Sequence, residues 1–165
     1  MLQGGAGFRA ERTLKRIEFA DSKAALLGGI RMPKSWTKTQ AFDYFNTDLE
    51  NTRWSWSGIS RDQSTVVIVL WQDGVKRKEA QFVYWDDEDL DAEWRTRIGA
   101  RRRAEHIQHA IDHCDSKFYA VIAIARDVTS EPREIDRCFP QENAVWRIDS
   151  FDFENGSFKA HAIIE

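Results

Sequence analysis

The chain has 165 residues, 42% of them apolar and 12% aromatic, which suffices for one domain with one sizeable core and is short for two. A formal charge of -3 and a pI near 5.8 exclude a generic polyanion binder, so any nucleic-acid contact must rest on a local basic patch. There is no signal-peptide pattern and no long apolar span, and Cys114 and Cys138 read as two unpaired thiols; the expectation is a reduced, cytoplasmic protein that does not enter a membrane.

In chain order, residues 1–7 are rich in Gly and lack periodicity. Residues 8–27 carry Leu14, Ile17, Phe19, Ala24, Ala25 and Leu27 at helical spacing before Gly28 and Gly29 stop the run. Met32 can serve as an alternative start, so residues 1–31 are expected to be a helical extension and 32–165 a single domain. Ser35 or Thr37 then caps a second helix that turns Ala41, Phe42, Tyr44 and Phe45 toward the core.

Residues 51–73 hold three of the seven Trp residues and read as strand, polar turn and buried strand. Positions 53–58 alternate polar with aromatic or small side chains, and 65–71 are almost continuously β-branched or aromatic. We expect an antiparallel hairpin whose second strand is covered on both faces. Residues 75–78 look like a basic connection and 79–85 like a third strand. Asp86 or Asp87 can cap a long helix reaching about Cys114, whose apolar sets before and after Gly99 are rotated apart, which predicts a kink or a break there. Residues 117–126 predict a central buried strand, and 127–143 a long polar loop with a short turn after Ser130. Two alternating runs, 144–153 and 157–164, flank Asn155-Gly156, the strongest hairpin signal in the chain. The fold class that follows is α+β, with a mostly antiparallel, strongly curved sheet or small open β-barrel and flanking helices.

Four constellations could carry chemistry. Arg95, Arg102, His106, His109 and His113 fall on one helical stripe opposite the apolar one, and with Arg97, Arg101 and Arg103 they could grip phosphates. The plainer reading is a solvated helix face whose Arg residues meet Glu105 and Asp112. His106, His109 and His113 are also a weak metal set, because three ligands on one straight helix cannot surround an ion and the spacing matches no zinc motif. The aromatic set Trp36, Trp54, Trp56, Trp71, Trp85 and Trp94, joined by Trp146, Tyr44 and Tyr84, contains core filling. Within it Trp54 and Trp56 share one strand face beside Arg53, Ser55 and Ser57 and are the best stacking pair. Finally, Asp127, Glu131, Asp136, Asp149, Asp152 and Glu154 with Lys159 superficially suggest a Mg²⁺ nuclease, although the acids beside Asn155-Gly156 are ordinary turn chemistry. No catalytic triad order, phosphate loop, dinucleotide fingerprint or paired CxxC is present, and no cofactor is expected.

The combination FDYFNTDLENTRWSWSGIS…VVIVLWQD, FYAVIAIARDV…EPREI and VWRIDSFDFENGSFKAH resembles a family of small bacterial proteins from mobile-element and defence neighbourhoods, found beside or fused to HNH-type nucleases. The likeness covers residues 32–165, with RWSW followed by VVIVLW as its most specific piece, and it implies a context without a mechanism. The order of elements and the Trp residues near strand ends are also similar to PUA-like modules, including EVE and YTH, small barrels that read modified bases or RNA. These features lead to the expectation of a non-enzymatic module that binds DNA or RNA, with Trp54 and Trp56 stacking a base and Arg53, Arg95, Arg102 and Arg103 holding phosphates. The alternatives are a metal-assisted hydrolase built on the His cluster, and a homo-oligomer that buries its aromatic face against another copy or takes a small molecule or protein partner.

Overall fold

The computed structural model describes residues 36–86 and 96–165. The expected extension of residues 1–31 with its helix, the acidic stretch after Asp86, Trp94 and Arg95 lie outside the described residues. Helix α1 (Lys38–Asp43) opens on a capping box: the Gln40 backbone N–H donates to Thr37 Oγ1 at 3.2 Å, and the Thr37 N–H donates to Gln40 Oε1 at 3.0 Å. Six residues cannot hold a helix by themselves. Burial of Ala41 and Phe42 supplies the rest, whereas Tyr44, expected toward the core, is 48% exposed beyond the helix end and meets Trp36 and Phe45 edge-on.

The strands are β1 (Ser57–Ile59), β2 (Val66–Trp71), β3 (Val75–Lys78), β4 (Gln81–Asp86), β5 (Lys117–Ala125), β6 (Ile135–Pro140), β7 (Ala144–Phe151) and β8 (Phe158–Ile164). They form one open eight-stranded sheet of order β1-β2-β5-β7-β8-β4-β3, with β6 paired to β5 beyond β7. The pairing is mostly antiparallel; β2 and β5 run parallel, and their crossover contains β3, β4 and helix α2 (Ile98–His113). This is the α+β class expected, with the sheet left unclosed.

Strands β2 and β5 are buried because both faces are covered. Ala41 and Phe42 of α1 pack with Val67, Val69, Val121, Ala123 and Cys138 on one face. Helix α2 lies along β1, β2 and β5 and buries Ala104, Ile107 and Ala110. A second core region is aromatic: Phe118 stacks on Trp146, its register partner, and meets Phe158 edge-on, with Tyr84 against Phe158. The fully buried Trp146 keeps its indole N–H satisfied by donating to Gln141 Oε1 at 2.7 Å, so it is core.

Two predicted connections are strands. Val75–Lys78 is β3, at the end of the sheet, and its exposed Lys76, Arg77 and Lys78 are the charges with which an edge strand blunts foreign pairing. Residues 135–140, expected within a loop, are β6 on the edge of β5; Pro140 sits at its last position, where a missing N–H is tolerated. Ser130 caps no turn there, its hydroxyl instead donating to the Asp127 and Pro132 carbonyls. Helix α2 starts at Ile98 with Arg97 in extended backbone as its N-cap, and the part of the expected long helix before residue 96 lies outside the described residues. At the far end Cys114 is the C-cap, and the Ser116 N–H returns to the Ala110 carbonyl at 3.0 Å. The hairpin at Asn155-Gly156 is present, with Gly156 at φ 75° and its N–H donating to the Asp152 carbonyl.

Candidate functional site

The site grows out of a turn that precedes β1. The Asn51 side chain accepts from the Arg53 N–H at 2.9 Å, the Asn51 N–H donates to Ser55 Oγ, and the Ser55 N–H donates to the Asn51 carbonyl at 3.0 Å. Trp54 therefore leaves a closed turn and does not share a strand face with Trp56, as alternation alone suggested; β1 begins only at Ser57. The two indoles nevertheless line one cavity, because the Val69 N–H donates to the Trp56 carbonyl and continues the pairing one residue back from β1. Trp71 closes the set, its ring centroid 5.5 Å from that of Trp56 at an interplanar angle of 44°.

This cavity has a volume of about 590 Å³. Trp54, Trp56, Val69 and Trp71 form one side, and the start of α2 forms the other through Ile98 and Gly99, with Arg97 and Arg103 beside them. Among the described residues that line it there is no Asp or Glu. Gly99 allows the close approach: a Cβ there would stand 2.3 Å from the Trp54 carbonyl oxygen and 3.2 Å from Trp56 Cδ1.

Trp56 also borders a second cavity of about 480 Å³ between α1 and β6. Its cations are Lys38, Arg53, Arg133 and Arg137, its acids Glu134 and Asp136, and Trp36 is its second indole. Lys38 Nζ lies 4.8 Å from the Trp56 ring centroid and donates to the Ser55 carbonyl at 2.9 Å. Burial holds this ammonium below its usual pKa range. Arg133 stands 5.5 Å over Trp71 and pairs with Asp73 at 3.0 Å. Two of the three rings thus already carry a protein cation.

The predicted phosphate residues separate. Arg53 is exposed and lines the second cavity. Arg103 lines the first and lies 5.7 Å over the Phe158 ring. Arg102 is spent on acids: its Nη1 donates to Glu105 at 2.8 Å, its Nη2 donates to Glu50 at 3.4 Å, and its Nε stands 3.1 Å from the other Glu50 oxygen. Arg95 lies outside the described residues.

The stripe of His106, His109 and His113 is not a uniformly solvated face opposite the core. His106 Nδ1 is 2.8 Å from Ser57 Oγ on β1, and burial is the main reason its pKa falls below 6.5. His109 Nε2 donates to the Gln63 carbonyl at 3.0 Å, and its ring centroid lies 4.8 Å from that of the more exposed His113 at a tilt of 48°. The physical cause is that position 106 shares a helix side with buried Ala110, so the stripe's inner edge is pressed against β1. Among the described residues no group of three or more His, Cys, Asp or Glu converges as a metal site. The acidic set is likewise dispersed: Asp127 binds Thr129, Asp149 meets His161 at 2.7 Å, Asp136 is near Arg137, and Asp152 and Glu154 shape the β7–β8 turn. Lys159 lies over exposed Trp85.

Sequence reasoning missed Lys38 and Arg133 as site residues, and it placed Trp71 only in the wider aromatic set and Arg97 only beside the helix stripe. The close contact of Trp71 with Trp56 follows from the β1–β2 register, which the Val69 N–H to Trp56 carbonyl bond carries one residue beyond β1. Compared with protein-family models, with curated proteins and with solved structures, the chain matches none.

Proposed function

We propose that this protein is a non-enzymatic nucleic-acid-binding module that holds one base, including a modified one, in the cavity walled by Trp54, Trp56 and Trp71. The observation that carries this reading is the combination, among the described residues, of three indoles with two arginines and no carboxylate lining one cavity. A volume of about 590 Å³ falls within the roughly 300–1,000 Å³ of ordinary ligand sites. An aromatic cage of this kind can take a cation or a flat base. Charge among the described residues favours the base: Lys38 and Arg133 already lie on two of the rings, Arg97 and Arg103 line the cavity, and none of its described lining residues is an Asp or Glu. A planar group attached to a phosphate combines a ring face for the indoles with a charge complementary to the arginines that line the cavity. The mobile-element and defence resemblance agrees with such an accessory role.

The test is binding of short DNA and RNA oligonucleotides, with modified and unmodified bases, at two salt concentrations. We expect affinity that depends on the base and falls with salt, with a logarithmic slope of roughly 0.7 per phosphate contacted on a single strand. Trp54→Ala should cost about 1–3 kcal/mol of binding, the ordinary worth of a base on an aromatic ring, at an unchanged melting temperature. Trp56→Ala adds a loss of stability, because Trp56 also packs on the α1 core cluster. Absence of binding at low salt would reject the proposal in favour of a small-molecule pocket or a subunit interface.

A further inference from the structure

We infer that the second cavity is the track for the sugar-phosphate backbone of the strand whose base occupies the first, with Trp56 as the divider between them. This rests on the base-binding reading above and extends it to a site at least two nucleotides long. Three observations support it. The two cavities are adjacent, since Trp56 lines both. The second holds the larger number of cations, Lys38, Arg53, Arg133 and Arg137 beside Glu134 and Asp136; Glu134 pairs with Arg126, Arg133 with Asp73 and Asp136 with Arg137, which among the described residues leaves Lys38 and Arg53 without a carboxylate in an ion pair. On this side Trp56 is covered by the Lys38 ammonium, so what meets the strand here is a cation and not a bare ring.

Chemistry favours a phosphodiester as the occupant. A partly buried ammonium that reaches only a carbonyl and a ring has lost hydration without gaining a full countercharge, and an anion opposite it offsets that loss. Arg137 projects from the edge strand β6 and Arg53 from the Asn51 turn, so the positive charges come from separate elements along one groove, as a linear polyanion requires. None of this needs the base to be read on this side, which makes the groove tolerant of sequence.

The experiment compares two ligands on the full chain: a single-stranded octanucleotide, as DNA and as RNA, and the 5′-mononucleotide of its preferred base. Wild type should bind the octanucleotide at least about tenfold more tightly than the mononucleotide. Lys38→Gln and, separately, Arg137→Gln should each weaken octanucleotide binding about three- to tenfold and flatten the salt slope by roughly 0.7–1, leaving mononucleotide binding unchanged. Lys159→Gln, on β8 and outside both cavities, should change neither. Arg137→Gln guards against a trivial result, because Lys38 also tethers the Ser55 carbonyl whereas Arg137 is exposed. Octanucleotide binding with the same affinity and slope in both variants would overturn the backbone track and leave the base cage standing. No binding of either ligand by wild type would overturn both.

Discussion

Gly99 decides how closely helix and tryptophans approach. In an ordinary helix Gly→Ala stabilises by about 0.8–1 kcal/mol. Here the added Cβ would stand 2.3 Å from a backbone carbonyl, which cannot rotate away, and forced overpacking of this kind costs about 1–3 kcal/mol. Gly99→Ala should therefore lower stability in urea denaturation and weaken nucleotide binding together, because the obstructing atoms belong to Trp54 and Trp56; a stabilised variant with unchanged binding would refute this contact. Nothing in the sequence around Gly99 announces such a role, since the Trp54 backbone is 45 positions away along the chain. Trp54 and Trp56 were legible as a pair for a local reason, and Trp71 became their neighbour only through strand register.

At the scale of elements, α1 is the most economical case. A six-residue helix held by one capping box and one buried ring should be sensitive to its cap. Thr37→Ala is expected to cost about 1 kcal/mol by chemical denaturation. Because Thr37 and Lys38 both border the second cavity, the same change should weaken octanucleotide binding more than mononucleotide binding. The capping box, the Asn155-Gly156 hairpin and the strands β2 and β5 were readable because each is written in neighbouring residues. β3 and β6 were not, because an edge strand carries charges or a Pro for the sake of its outer side, and both are the composition of a loop.

Across the whole molecule, net charge says little and placement says more. Of the four His residues, His106 is the one whose pKa is pushed down by burial; Arg102 and His109 push the same way, and Glu105 and Glu50 oppose. A His with a folded pKa below 6.5 binds its proton more readily when unfolded, so stability should rise with pH through the window just below 6.5 and be lost as pH falls through the folded value. His106→Gln should flatten that part of the stability curve, read as melting temperature against pH. A second loss should follow at much lower pH, where Asp62, held at about 2 chiefly by the Ser60 hydroxyl and then by Ser64, takes up its proton. Among the described residues no helix is long and apolar enough to cross a membrane.

The sequence by itself determined the α+β class, the two hairpins, the buried strands and the α1 cap, because period, turn chemistry and capping act over a few residues. Tertiary structure alone decided which aromatics are core and which face a cavity: Trp146 disappears beneath Phe118, whereas Trp71 joins Trp54 and Trp56. It also decided which cations remain at the cavities, taking Arg102 for Glu50 and Glu105 and bringing Lys38 onto Trp56. The physical reason is the same in each case. A side chain's partner is set by the packing of α1 and α2 on the sheet and by the pairing of β6 along β5, and those contacts join residues far apart in the chain.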